Sequence, residues 1–126
     1  MPRQAISTDQ APAAIGPYSQ AVATDSLVFI SGQLPIDPAT GKMVTGTIAE
    51  QTRQILKNAA AIAREAGSGL EQAVKTTIFL TDLGNFQEVN SAYAEHFPAP
   101  PPVRSTIQVA GLPLGSPIEI ELILAR

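Results

Sequence analysis

Apolar and polar positions change period several times along the chain, and each change marks an element. Ala5 to Ser7 predicts a short edge strand. Ala11 to Tyr18 holds two prolines and a glycine, which deny helix and central strand, so an ordered loop ending in Tyr18 is predicted. Tyr18–Ala23 and Leu27–Gln33 predict a hairpin joined through Thr24 to Ser26. Leu27 to Ile30 is apolar on both faces, which predicts a central position, and the strand finishes at Ser31 and Gly32, where a glycine admits close approach of backbone or ligand. Asp37 to Lys42 reads as a turn.

Helical periodicity then takes over. Thr47 and Glu50 form a capping box, after which Ile48, Ile55, Ala59, Ile62 and Ala66 recur on one face and Gly67 stops the helix. Val74–Leu80 is rich in β-branched residues and predicts a strand. A second helix follows, with Asn85 and Glu88 resembling a cap and Phe86, Val89, Tyr93 and Phe97 as its apolar stripe. Pro98 ends it, and residues 99–102 read as stiff and polyproline-like. Two strands close the chain. In Val103–Ala110, Val103, Ser105, Ile107 and Val109 share one face and Arg104, Thr106 and Gln108 the other. In Pro117–Leu124, Ile118, Ile120 and Leu122 oppose Glu119 and Glu121. The order β-β-α-β-α-β-β, with one apolar face per helix, predicts a single α+β domain over 1–126, with both helices on one side of a mixed sheet. The other sheet face is then polar or covered by a partner.

Composition narrows the function. The core of this 126-residue chain must be aliphatic, because there is no Trp and aromatics are 5% of residues. Eight basic against eleven acidic residues give a net charge of -3 with no basic cluster, so nucleic acid is not an expected partner. Cysteine is absent and His96 is the sole histidine, which removes disulfides and thiolate zinc sites and leads us to expect no metal. No apolar run approaches the roughly 20 residues of a membrane helix. Met1 to Gln10 has no apolar segment of the secretory type, so the cytoplasm is the expected compartment.

Candidate chemistry sits mainly on the last two strands. Arg104 follows a rigid proline run, and a guanidinium on a rigid element suits bidentate capture of a carboxylate; the alternative is a surface arginine paired with a glutamate. Glu119 and Glu121 share a strand face about 6.6 Å apart and could do acid/base work, or simply form a solvated face. Tyr18 closes a rigid loop and could offer its hydroxyl to a ligand, or be an ordinary half-buried side chain. His96, at a helix end, reads as structural. Gly67 to Gly69 lacks the lysine of a phosphate loop, and Ser31 does not sit in the Gly-x-Ser-x-Gly pattern of a serine-hydrolase elbow.

Several stretches together resemble one family. They are Ala11 to Gln20 (APAAIGPYSQ), Ile30 to Gln33 (ISGQ) followed by Pro35, Lys75 to Leu83 (KTTIFLTDL), Pro102 to Ser105 (PVRS) and Ile118 to Glu121 (IEIE). In this order they are similar to the motifs of the RidA (YjgF) family of reactive intermediate deaminases, and they span nearly the whole chain. The resemblance implies a chorismate-mutase-like fold and a homotrimer whose sheets form a central barrel, with sites in clefts between subunits. It implies hydrolysis of 2-iminopropanoate, 2-iminobutanoate and their enamine tautomers to 2-keto acids and ammonia, without metal or cofactor.

By the same resemblance, Arg104 binds the substrate carboxylate, with the Thr106 backbone as a further donor. Tyr18 lines the pocket, Glu119 orients or activates water, and Ser31, Gly32 and Asn90 complete the pocket. Glu119 is expected to work best partly desolvated, with a raised pKa. Two departures bear on the preferred substrate: Thr106 stands where many members carry Cys, and residues 99–103 hold extra prolines and Val103. The alternatives are a same-fold deaminase for another enamine or imine such as 2-aminomuconate, a non-catalytic regulatory protein binding small carboxylates, and a ribonuclease, which the acidic balance disfavours.

Overall fold

The last strand organises the molecule. In the computed structural model, which describes residues 3–126, it runs over Ile118–Ala125 and sits third from one edge of a six-stranded sheet. Met1 and Pro2, the start of the segment read above as lacking a signal, lie outside the described residues. The strands are β1 (Gln4–Ile6), β2 (Ala21–Ala23), β3 (Leu27–Gln33), β6 (Ala73–Leu80), β7 (Val103–Gln108) and β8 (Ile118–Ala125), in the spatial order β1-β2-β3-β8-β6-β7. β6 and β7 are parallel and every other pair is antiparallel, so the sheet is mixed as predicted. A separate pair, β4 (Ile36–Asp37) with β5 (Lys42–Met43), flanks the turn read at Asp37.

Alternation along β8 divides the sheet into two faces. Ile118, Ile120, Leu122 and Leu124 are buried against α1 (Ile48–Glu65), whose Ile55, Leu56, Ala59 and Ile62 meet them as the core. Val28 and Ile30 of β3, and Ile78 and Leu80 of β6, join from either side. The helix begins as predicted. Thr47 Oγ1 accepts from the Glu50 N–H at 3.1 Å, and Glu50 Oε1 accepts from the Thr47 N–H at 3.2 Å. The second helix, α2 (Phe86–Ala94), lies beside α1 on the same side of the sheet.

Several boundaries differ from the pattern, each for a local reason. β2 starts at Ala21 rather than Tyr18: the Ser19 carbonyl accepts from the Ser31 hydroxyl and not from a ladder N–H, and the Gln20 side chain is tied to Thr8 of the preceding loop. Asn85 makes no side-chain cap. Asp82 caps the preceding 3-10 turn instead, accepting from Gly84 N–H at 2.8 Å, and the Glu88 carboxylate accepts from Ala49 N–H at 3.2 Å. α2 stops at Ala94, yet Phe97 remains buried because its ring stacks on Tyr93 with centroids 4.4 Å apart. The proline run is not a uniform polyproline helix, since Ala99–Pro100 is cis.

The sheet face away from the helices has no cover among the described residues. It carries Phe29, Val103 and Ile107, which are 42%, 66% and 44% exposed, together with Thr77, Glu119 and Glu121. On β7 the Val103, Ser105 and Ile107 side points outward, while Arg104 and Thr106 point towards the helix layer.

Candidate active site

A β-bulge builds the first half of the site. Ile30 pairs with Leu122 and Gln33 with Ile120, so Ser31 and Gly32 together oppose Glu121 alone. The bulge bends β3 beside Glu119. A Cβ placed on Gly32 would sit 2.7 Å from the Glu119 carboxyl carbon, so only glycine lets this carboxylate lie against the strand. Ser31 is fixed from two sides: its N–H donates to the Gln20 carbonyl at 2.9 Å, and its hydroxyl to the Ser19 carbonyl at 2.5 Å.

The loop before β2 forms the opposite wall. The buried Gln20 amide donates to the Pro12 carbonyl at 2.8 Å and to the Thr8 carbonyl at 3.0 Å, and its oxygen accepts from Thr8 N–H at 2.7 Å. These bonds hold the proline-rich loop down and leave Tyr18 largely exposed at its end. The resulting cleft encloses about 630 Å³, with Tyr18, Ser31, Gly32 and Glu119 on its walls and Leu114 at its rim. That size lies within the roughly 300–1,000 Å³ usual for small-molecule sites. Burial, and secondarily the Glu121 charge, raise the Glu119 pKa above the ordinary carboxylate value. A carboxyl held this way takes and returns protons closer to neutral pH.

Arg104 and Thr106 lie elsewhere. Register places Arg104 beside Thr76 and Thr106 beside Ile78, on the helix-facing side of the edge strand, whereas Glu119 pairs with Phe79 on the open side. The Arg104 guanidinium lies 4.9 Å from the Tyr93 ring centre and 5.6 Å from that of Phe86. Half-buried Asn90 is on the same helix, four residues after Phe86 and three before Tyr93, and so shares that face. Tyr93 is fixed in turn by a 2.6 Å hydrogen bond between its hydroxyl and that of Thr76. No carboxylate neutralises Arg104 among the described residues; the ion pair found there joins Arg53 to Glu95 at 2.9 Å. The paired-surface-arginine alternative is therefore not what the fold displays, and the guanidinium is free for an anion.

One chain thus brings together Tyr18, Ser31, Gly32 and Glu119, and separately Arg104, Thr106 and Asn90, with the sheet between the two groups. Sequence reasoning passed over Gln20, the Pro113–Leu114 rim and the rings beneath Arg104. Only the last had a signal, the seven-residue spacing of Phe86 and Tyr93 along one helical stripe. His96 caps its own helix end, its ring Nδ1 lying 3.0 Å from the Ala92 carbonyl, in keeping with a structural role. No group of three or more potential metal ligands occurs among the described residues, and no helix there is long and apolar enough to cross a membrane.

A family model described as endoribonuclease L-PSP matches residues 8–126. The chain is 52% identical over 121 residues to a protein of Arabidopsis thaliana named reactive intermediate deaminase A, chloroplastic, covering 96% of this chain and 65% of that protein. It is 48% identical to the human protein named 2-iminobutanoate/2-iminopropanoate deaminase, covering 96% of this chain and 88% of the relative. Among solved structures, RidA from an Antarctic Psychrobacter superposes with a TM-score of 0.94 at 44% identity, covering 98% of this chain and 99% of that one. TdcF of E. coli with bound serine gives 0.91 at 42% identity, with 98% of both chains covered.

Proposed function

The chain belongs to the endoribonuclease L-PSP family, the RidA or YjgF group, and from that membership we propose that it hydrolyses small 2-imino acids such as 2-iminopropanoate and 2-iminobutanoate to 2-keto acids and ammonia. Glu119 carries this reading: a half-buried carboxyl of raised proton affinity, laid against Gly32 in a cleft sized for a small molecule.

The chemistry asks little of the protein. A protonated imine is already an electrophile, so the site must hold the carboxylate, place a water at the C=N carbon and move protons. In the proposed sequence Glu119 takes a proton from water as its oxygen bonds to C2 and the C=N electron pair moves to nitrogen. The same carboxyl then returns the proton to the nitrogen. The C–N bond breaks as the Glu119 carboxylate takes the proton of the C2 hydroxyl; ammonia leaves, the C2 oxygen becomes the keto group, and Glu119 passes its proton to the departing ammonia. Arg104 anchors the substrate carboxylate in a charge-assisted contact of roughly 1.5–3 kcal/mol. Tyr18 donates near the reacting centre, Ser31, Gly32 and Asn90 shape the pocket, and the Thr106 backbone adds a donor.

Arg104 and Glu119 serve one substrate only if two copies of the chain meet, because they project from opposite faces of one sheet. This supports a homotrimer with its sites between subunits, closed on the uncovered face that carries Phe29, Val103 and Ile107. The compartment proposed is the cytoplasm, where pyridoxal-phosphate enzymes release such imines during elimination from serine and threonine.

An amino-acid oxidase generating the imine in the presence of semicarbazide, a competing trap, tests the activity. Wild type is expected to lower semicarbazone formation, and Arg104→Ala to lose the effect by at least tenfold. Equal semicarbazone with and without a folded wild-type protein would refute the deaminase.

A further inference from the structure

Leu114 is held in the left-handed region, at φ 59°, and its side chain is 64% exposed. A bulky apolar residue gains from neither condition: the backbone costs energy that glycine or asparagine would not incur, and the side chain stays in water. The turn that carries it is anchored on both sides. Pro113 fixes the backbone before it, the Ser116 N–H donates to the Pro113 carbonyl at 3.1 Å, and the buried Ser116 hydroxyl donates to the Ile118 carbonyl at 2.7 Å. Leu114 is therefore fixed at the rim of the Glu119 cleft. Ile15, 77% exposed, belongs to the opposite wall, in the loop that Gln20 pins through the Pro12 carbonyl. Leu34 and Ile36 line the same cleft, and the Ile36 carbonyl accepts from the buried Asn58 amide at 2.8 Å. The cleft thus holds an aliphatic set of side chains beside the polar group around Glu119. At about 630 Å³ it has room well beyond a three-carbon acid.

We infer that Leu114 and Ile15 grip the side chain of the substrate, so that this chain prefers 2-imino acids with a branched or longer aliphatic side chain over 2-iminopropanoate. The assignment rests on the deaminase reading and adds a specificity determinant to it. An imino acid of the alanine type places a single methyl beyond C2 and leaves the aliphatic wall in water. One of the leucine type carries three more carbons, which cover the exposed faces of Leu114 and Ile15 on binding. The strained rim residue then has a use that a glycine there would lack.

Two variants test the grip. Leu114→Asn keeps the approximate size, accepts the left-handed backbone and is polar; Leu114→Met keeps an apolar side chain. Imines are generated from leucine and from alanine by an amino-acid oxidase with semicarbazide present. Binding of the stable keto acids, 4-methyl-2-oxopentanoate and 2-oxopropanoate, is measured by calorimetry. Wild type is expected to show a kcat/KM for the leucine-derived imine roughly tenfold above that for the alanine-derived one, with a difference in keto-acid affinity of the same sign. Leu114→Asn is expected to cut that ratio roughly fivefold, mainly through KM, and Leu114→Met to keep it within about twofold. The Asn variant is expected to melt no lower than wild type and to scatter light at the same mass, since its backbone is relieved and the side chain it replaces is largely exposed. Equal kcat/KM for the two imines in wild type, or an unchanged ratio in Leu114→Asn, would overturn the inference and leave the deaminase standing. So would a change of assembly in Leu114→Asn, which would make Leu114 part of a seam between copies. A wild type that neither hydrolyses either imine nor binds either keto acid would overturn both.

Discussion

At the residue scale, the proposed chemistry centres on Glu119. Its neighbour Gly32 was legible in the sequence as a point of close approach, and alternation along the last strand put Glu119 opposite Ile118 and Ile120. What alternation cannot supply is the two-residue bulge that lays Gly32 on the carboxyl, because a bulge is set by pairing between distant strands. The raised pKa has two consequences. In the proposed mechanism activity needs the ionised carboxylate, so the rate is expected to fall as pH drops through the raised value, at a pH above the ordinary 4.3 or so for glutamate. Glu119→Gln is expected to lower kcat by roughly 10²–10⁴-fold and to abolish that acid limb. Its effect on stability has the opposite sign. A carboxyl whose folded pKa exceeds its unfolded value disfavours the fold when ionised, so the Gln variant melts higher than wild type at neutral pH. The gap closes as pH falls below about 4. Melting curves between pH 4 and 8 read this directly; a wild type that melts higher at neutral pH would reject the desolvated carboxyl.

At the element scale, α1 was the most legible piece, since its capping box, apolar stripe and terminal glycine are all local signals. The edge strand β7 was half legible. Its alternation separates Arg104 and Thr106 from Val103 and Ile107, but nothing local says which set faces the helices. The fold turns the polar pair inward, where Phe86 and Tyr93 of α2 receive the guanidinium, and leaves the aliphatic pair outside. Gln20 was invisible for a related reason: its partners Thr8 and Pro12 lie eight to twelve residues away in a loop of no regular period. The outward aliphatic face carries a prediction. Ile107→Lys would change the stability of a free chain by about 0.5 kcal/mol or less, as an ordinary surface substitution does. If that face is the seam between copies, the variant keeps its circular dichroism spectrum but scatters light as a monomer and loses activity. A trimer that survives the substitution would place the seam elsewhere.

At the scale of the whole molecule, the sheet itself divides the site. Tyr18, Ser31, Gly32 and Glu119 open on one face, and Arg104, Thr106 and Asn90 on the other. The sequence motifs hold Tyr18, Ser31, Gly32, Glu119 and Arg104 without hinting at the division, which follows only from strand order and register. The proposed mechanism therefore requires that an imine be hydrolysed between Arg104 of one subunit and Glu119 of another. Mixing two inactive variants tests it directly. Arg104→Ala and Glu119→Gln proteins are unfolded together, refolded at equal concentration and assayed for imine hydrolysis. In a cyclic trimer of randomly mixed subunits, three assemblies in four are mixed and each holds one intact site of three, so roughly one quarter of wild-type activity should return. Activity no higher than that of either variant alone, from trimers shown to be mixed, would contradict the shared site.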